Sequence, residues 1–489
     1  MMRQSILWTF ILQGVTLVVS FIGYMLIARL LSPSEMGIHA IAVAAIGVTQ
    51  VFAVFGLTGY IVRDPDLRPS TLSLAFSVNA LLAILLSSAL GVLSFFSQPI
   101  LGDVRAGEVM RVLMFSPIIN IFSFRQSSML QREMRFIASG IVIALMATTT
   151  SALSVVFALH GASYMSIAYA TVISSLVGTV GYTIAAPSYF SLKMTFQGWR
   201  KIARFGLEIM SISGVSLLAA RLSELVLGRV LGITALGFYS RATTLATLMF
   251  EHIYGTATRI AFSKLASDFR THGDLRHSFT HALTLILSVM WPLEIGLAVL
   301  SKPAIVIIFG ENWLPAAAPL SILMIAQAIA LSFGMNWELF VLRHETTRQS
   351  KLEVKRAVIG FGIFAAFCRF GLASAAFGRV GDAIAGYFIY RGDVRRLSGV
   401  TEKDMRNMFI INFVLAITAA TPPAIMMTIF DWPDLPPVYA LVASIVLGVA
   451  AWFCAIVAFR HPLLGEFARP MSRISQPLAN AMRRRSEGL

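Results

Sequence analysis

Apolar runs of bilayer-crossing length, separated by short polar turns, follow one another along this chain from end to end. A membrane-spanning helix needs about 20 mostly apolar residues. Runs of that kind fall at 6–31, 37–61, 71–96, 112–124, 137–159 and 163–185, then at 202–227, 234–258, 279–300, 318–342, 357–377 and 379–390, and last at 408–430 and 438–459. The pattern predicts an all-α polytopic membrane protein with about 14 transmembrane helices. Pro117 interrupts the fourth run, and Asp382 and Gly386 interrupt the twelfth. The first run follows Arg3 as a signal peptide would. It exceeds an apolar core of roughly 7 to 15 residues and no small-residue cleavage site follows it, so it is expected to remain as the first span.

One corner of the pattern occurs twice. Ala28–Ala42 reads ARLLSPSEMGIHAIA, and Gly228–Ala242 reads GRVLGITALGFYSRA. At one fixed offset Arg29 meets Arg229, Leu31 meets Leu231, Gly37 meets Gly237 and Ala42 meets Ala242. In each copy an Arg closes one apolar run, a short turn follows and a Gly opens the next, which predicts a duplicated bundle. An even number of spans per copy returns the second copy to the membrane in the same orientation. The expected architecture is therefore two parallel six-helix bundles related by a pseudo-two-fold axis along the membrane normal, with a cleft between them, plus a C-terminal helix pair. The expected boundaries are 1–200 for the N-terminal bundle, 201–398 for the C-terminal bundle, 399–460 for the extra pair and 461–489 for a basic cytoplasmic tail.

Composition narrows the class. With 57% hydrophobic and 13% charged residues and a mean hydropathy of +0.77, the chain is not a set of soluble domains. A net charge of +15 raises nucleic acid as a partner, but no basic patch interleaved with stacking aromatics is present and none is expected to bind. The basic residues instead report topology. Numbering the loops alternately, thirty of the 39 Lys and Arg lie on the side of the N-terminus, which places both termini in the cytoplasm. Cys368 and Cys454 both lie inside apolar runs, so neither a disulfide framework nor a metal site is expected.

Catalytic chemistry is not predicted. His344-Glu345 lacks the second His of a zinc helix, and no glycine-rich phosphate loop ends in Lys-Ser/Thr. The outer loops are too short to hold a catalytic domain. No enzyme activity and no cofactor are expected. Ionisable residues at membrane depth carry more information, because each costs at least about 2.5 to 3.5 kcal/mol at a helix centre unless paired or wet. Arg221 and Glu224 share a face of the seventh span and can neutralise each other. Glu208 lies on roughly the opposite face, and Arg241 sits on the eighth span with Glu251 deeper. Arg29 and Arg229 can snorkel to headgroups. The cations Arg29, Arg221 and Arg241 can alternatively hold an anionic substrate group such as a diphosphate, which Arg meets with a planar fork. Glu208 and Glu224 are candidate acceptors of a coupling ion, since carboxylates in low dielectric change charge with their surroundings. The LQREMRF loop at Leu130–Phe136 and the 343–356 segment read as topology determinants and contacts to anionic membrane lipids. The tail from Arg460, with Arg469, Arg473 and Arg483–Arg485, reads as a surface-lying amphipathic segment.

Five stretches carry a family resemblance: ARLLSPSEMG after the first span, FGLTGYIVRD ending the second, LQREMRF after the fourth, LGFYSRA opening the eighth, and the FGENW turn at Phe309–Trp313. The chain resembles the polysaccharide-transporter branch of the multidrug/oligosaccharidyl-lipid/polysaccharide exporter superfamily. The resemblance implies a flippase moving polyprenyl-diphosphate-linked oligosaccharide across a bacterial inner membrane for O-antigen, capsule or exopolysaccharide assembly. It also implies a monomeric transport unit working with polysaccharide polymerase or export machinery. The alternatives are a cation-coupled small-molecule (multidrug) exporter of the same superfamily and a membrane glycosyl polymerase or ligase.

Overall fold

The computed structural model describes residues 2–50, 56–429 and 438–466. Among these there is no strand, and the elements in order are α1 (Met2–Leu30), α2 (Pro33–Gln50), α3 (Leu57–Arg63), α4 (Pro69–Phe95), α5 (Ser97–Leu101), α6 (Val104–Leu113), α7 (Phe115–Ile121), α8 (Phe124–Arg132), α9 (Phe136–Leu159) and α10 (Ser166–Ala185). They continue with α11 (Trp199–Leu231), α12 (Ile233–His272), α13 (Arg276–Val299), α14 (Ser301–Phe309), α15 (Ala317–Leu331), α16 (Asn336–Leu342), α17 (Thr346–Cys368), α18 (Leu372–Ser398), α19 (Glu402–Ile429) and α20 (Val438–Ala458). The basic tail beyond Glu466, with Arg469, Arg473 and Arg483–Arg485, lies outside the described residues.

Among the described residues eight helices are long and apolar enough to cross a membrane, or nine if one bent pair counts as a single span. This is a multi-pass membrane protein. The described residues of the other runs marked in the sequence are also largely helical, but α2 is only 18 residues long, and α11, α12, α17 and α18 carry ionisable side chains among their apolar ones. Large apolar side chains such as Leu85, Val92, Val180, Ile184 and Val446 are exposed, as a lipid-facing surface requires.

The described residues form two compact units. The first comprises Met1–Arg241, Ile305–Ala316 and Glu353–Gly378, and the second Ala242–Ala304, Ala317–Leu352 and Arg379–Leu489. Small residues set the packing of the first. A Cβ on Gly23 of α1 would stand 2.4 Å from Ser151 Oγ of α9, and one on Gly178 of α10 would stand 2.5 Å from Met146 Sδ of α9. These glycines let α1, α9 and α10 approach closely where water offers no hydrophobic drive.

The duplicated corner is a physical contact. A Cβ on Gly37 would lie 2.0 Å from Ile233 O, and a Cβ on Gly237 would lie 2.0 Å from Pro33 O. The start of α2 therefore packs on the start of α12 reciprocally, each glycine seated on the other copy's first turn. The turn before α2 is a capping box: Ser32 N donates to Glu35 Oε2 at 2.7 Å, and Glu35 N donates to Ser32 Oγ at 3.3 Å. The FGENW turn closes over the same corner. Trp313 Nε1 donates to Ala28 O at 2.7 Å, and its ring meets Phe238 edge-on at 6.0 Å.

The second unit has its core on α13, α15, α18 and α19. Trp291 Nε1 donates to Ala328 O at 2.8 Å, and Phe333 stacks on Tyr390 with ring centroids 5.7 Å apart. The loop residue Glu345 and the end of α18 form an ion-pair cluster, with Arg348 on Asp393 at 2.8 Å, Arg396 on Asp393 at 3.0 Å and Arg396 on Glu345.

Candidate functional site

Inside the first unit is a cavity of about 1030 Å³, walled by α2, α4, α6, α7, α8, α9, α10 and α11. Each wall is a helical stripe. On α9 it is Ile143, Met146, Ala147 and Thr150; on α4 it is Asn79, Leu82, Ala83 and Leu86; on α10 it is Thr171, Ser174, Ser175 and Tyr182. Spacings of three, four and seven put those side chains on one face of a helix. The stripes mix apolar residues with hydroxyls and amides, which is an expensive choice among lipid-facing helices unless the space is wet or filled by a polar ligand.

A broken helix supplies one wall. The segment Val104–Ile121 bends by 54° into α8. At the bend Phe122 N donates to Ile119 O and Ser123 N to Asn120 O, at 3.2 and 3.3 Å, so the chain tightens to three-residue hydrogen bonds. Pro117 lacks an N–H, which starts the break one turn earlier. Thr179 Oγ1 of α10 donates to Ile119 O at 3.2 Å and so re-satisfies a carbonyl at membrane depth. This is the structure of the fourth run, whose interruption by Pro117 was visible in the sequence.

The hydrogen-bonding character of the lining is lopsided. Thr171 Oγ1 donates to Ile167 O, Ser175 Oγ to Thr171 O, Ser174 Oγ to Met146 O, Ser123 Oγ to Asn120 O and Ser127 Oγ to Phe124 O, at 2.7, 3.0, 2.9, 3.1 and 3.0 Å. Each of these hydroxyls has spent its hydrogen on backbone and shows the cavity an acceptor. Asn79, Asn120, Gln131 and Thr150 have no side-chain partner among the described residues, and Ser116 Oγ and His39 Nδ1 are buried without one. Among the described residues no Asp or Glu lines the cavity.

The arginines singled out in the sequence sit at three different places in this unit. Arg221 lines the cavity from α11, its shank lying against Gly47 of α2, where a Cβ would stand 2.6 Å from Arg221 Cδ. Its Nη1 bonds Glu224 Oε2 at 2.9 Å, and its Nε is buried without a partner. Arg241 is buried, 5.8 Å from the centroid of the Tyr24 ring, and its Nε and Nη1 have no partner. It lies within electrostatic reach of His39 on the cavity wall. Arg29 is elsewhere, at a hollow of about 530 Å³ beside the FGENW turn, where it donates to Ile307 O at 2.5 Å and Ile308 O at 3.3 Å. Those carbonyls end α14, a favourable place for a cation. The side chains of Glu208 and Glu251 lie outside the described residues.

Sequence reasoning passed over the uncharged lining entirely. The detectable sign was the recurrence of Ser, Thr and Asn at helical spacing inside strongly apolar runs. Sequence reasoning also passed over Arg125 of α8, which is buried over the Phe76 ring at 4.6 Å and donates to Ser73 Oγ and Lys193 O at 3.1 and 2.5 Å. Arg125 ties α8 to α4 and to the segment before α11.

Comparison with known proteins follows the same lines. A family described as "Polysaccharide biosynthesis protein" matches residues 26–318. The succinoglycan biosynthesis transport protein ExoT of Rhizobium meliloti is 25% identical over 334 residues, 67% of this chain and 66% of that protein. The lipopolysaccharide biosynthesis protein WzxC of Escherichia coli is 22% identical, over 63% of each chain. In both cases the match spans somewhat less than two thirds of the relative's length. Among solved structures, the lipid II flippase MurJ in an inward closed conformation aligns with a TM-score of 0.76 at 13% identity, over 94% of this chain and all of that one. An inward-facing multidrug resistance MATE family transporter aligns at 0.60 and 16% identity, over 78% and 95%. These two likenesses are of fold.

Proposed function

The chain belongs to the polysaccharide biosynthesis protein family, and on that premise we propose that it is a flippase carrying polyprenyl-diphosphate-linked oligosaccharide from the cytoplasmic to the periplasmic leaflet of a bacterial inner membrane. The observation that carries the reading is the cavity of about 1030 Å³ lined by hydroxyls, amides and one Arg within lipid-facing helices. A lipid-linked oligosaccharide has a head that cannot cross hydrocarbon and a tail that cannot leave it, so its carrier needs a polar compartment at membrane depth. The relatives' names, which concern succinoglycan and lipopolysaccharide synthesis, support that substrate class.

In this reading the diphosphate is met by arginines. Arg241, buried with two unused donors, is the strongest anion contact, and Arg221 offers its fork at the cavity wall. Arg29 is the third cation of the set, at the neighbouring corner. An anion arriving at Arg221 competes with Glu224 and frees that carboxylate to take up a proton or cation, which gives an exchange of substrate for ion. Glu208 is the second proposed coupling carboxylate. The chain crosses the membrane fourteen times as two six-helix repeats plus a helix pair, works by alternating access as a monomer with both termini cytoplasmic, and hands its substrate to polymerase or export machinery. A cationic-drug exporter would call for acidic groups in the cavity, and among the described residues none lines it.

The test is complementation of a flippase-null strain with Ala and Lys variants of Arg29, Arg221 and Arg241, scored by surface polysaccharide and by membrane abundance. Ala at Arg221 or Arg241 is expected to abolish the polysaccharide. Lys should be tolerated only where a single point charge suffices. Normal polysaccharide at normal abundance in all three Ala variants would sink the arginine contacts, and a parent chain that restores none would sink the flippase reading.

A further inference from the structure

We propose that the cavity of the first unit is the seat of the glycan and is built for neutral sugar residues rather than acidic ones, with Asn79, Asn120, Gln131 and Thr150 selecting the sugar. The inference rests on the flippase reading and goes beyond it by naming the class of sugar.

The argument is one of donors and acceptors. Five hydroxyls on α8 and α10 and at the bend between α7 and α8, those of Thr171, Ser174, Ser175, Ser123 and Ser127, donate to backbone carbonyls, so towards the cavity they only accept. A sugar hydroxyl can give such an oxygen its hydrogen. A carboxylate has none to give, so against these five oxygens it finds only lone pairs. Among the described residues one Arg reaches the lining, Arg221, and its Nη1 is already engaged by Glu224 at 2.9 Å. A uronic acid would thus have little to neutralise it.

The opposite side of the balance comes from the unpartnered groups. The amides of Asn79, Asn120 and Gln131 and the hydroxyl of Thr150 each offer both a donor and an acceptor, which is what the two-sided hydroxyls of a neutral sugar require. A site built to hydrogen-bond hydroxyls rejects analogues that leave its groups unpaired far more sharply than an apolar pocket rejects a change of size. At about 1030 Å³ the cavity is at the top of the range of roughly 300 to 1,000 Å³ for small-molecule sites, which suits more than one sugar unit.

The test uses the full chain in lipid nanodiscs and saturation-transfer NMR. One probe is an equal-mass pool of neutral gluco- and galacto-oligosaccharides, the other a pool of oligogalacturonates of the same lengths. The neutral pool is expected to bind and the acidic pool to bind about tenfold more weakly. Asn79→Ala and Asn120→Ala should each weaken neutral binding about five- to tenfold, the loss of one hydrogen bond. Gln131→Ala serves where either variant lowers abundance. Absence of binding by the neutral pool, equal binding of the two pools, or unchanged neutral binding in all three variants would overturn the inference. Arg241→Ala separates it from the parent reading: that variant should lose surface polysaccharide while keeping neutral-sugar binding. Were the parent chain itself to restore no polysaccharide to the flippase-null strain at normal abundance, the flippase reading would fall while the NMR result still decided the sugar class.

Discussion

Replacing Gly237 by Ala tests the reciprocal corner. The added Cβ would stand 2.0 Å from Pro33 O, 3.0 Å from Pro33 C and 3.2 Å from Gly37 N. Ordinary contact begins near 3.4 Å, so the two helix starts would have to separate by about 1.4 Å. Every atom met is backbone, and no side chain can swing away. Overpacking costs about 1 to 3 kcal/mol, and a clash with an unyielding carbonyl belongs at the upper end, about 3 kcal/mol. Gly37→Ala meets Ile233 O at the same 2.0 Å and should cost a similar amount. The double variant should cost clearly less than the sum, because the first substitution already parts the pair. Gly362→Ala is the control: a Cβ there meets nothing within 4 Å, and in α17 it should be neutral or stabilise by a few tenths to about 1 kcal/mol. The assay is thermal unfolding of purified protein in detergent, with membrane abundance alongside. Equal melting temperatures for Gly237→Ala and Gly362→Ala would refute the reasoning.

Trp313→Phe keeps the ring contact with Phe238 but removes the donor to Ala28 O, and should destabilise by about 1 to 3 kcal/mol in the same melts; no change would mean that carbonyl finds another partner. The Glu345 carboxyl is held below its ordinary value of 4.5, first by its hydrogen bond with Arg396 and then by the charges of Arg396, Arg348 and Arg343. Because the folded state favours its ionised form, its contribution to stability is present above about pH 4.5 and is lost as the pH falls below that. Glu345→Gln should therefore show a smaller drop in melting temperature between pH 7 and pH 4 than the parent. Reporter fusions near 130, 195, 265, 350 and 398 are expected to read cytoplasmic, and those near 103, 161 and 310 to read on the opposite face; a cytoplasmic reading at 310 would remove the fourteen-span topology.

The helical, membrane-embedded class was legible in the sequence because apolar run length is set by bilayer thickness, a property of single segments. The pairing of Arg221 with Glu224 was legible too, since a spacing of three places both on one helix face. So was the repeated corner, as an offset between Gly37 and Gly237, although only the fold made those two glycines partners. What the tertiary structure decided is which faces meet. Arg29 looked like Arg241 in the sequence, each a cation near one end of an apolar run, yet one ends on the carbonyls of Ile307 and Ile308 and the other is buried beneath Tyr24 with donors unused. The cavity was hidden for the same reason. Asn79, Asn120, Thr150 and Ser174 lie on four different helical segments, and each alone is a tolerable polar residue in an apolar run. Only helix packing, which depends on small residues such as Gly178 and Gly23 far along the chain, turns them towards one shared space.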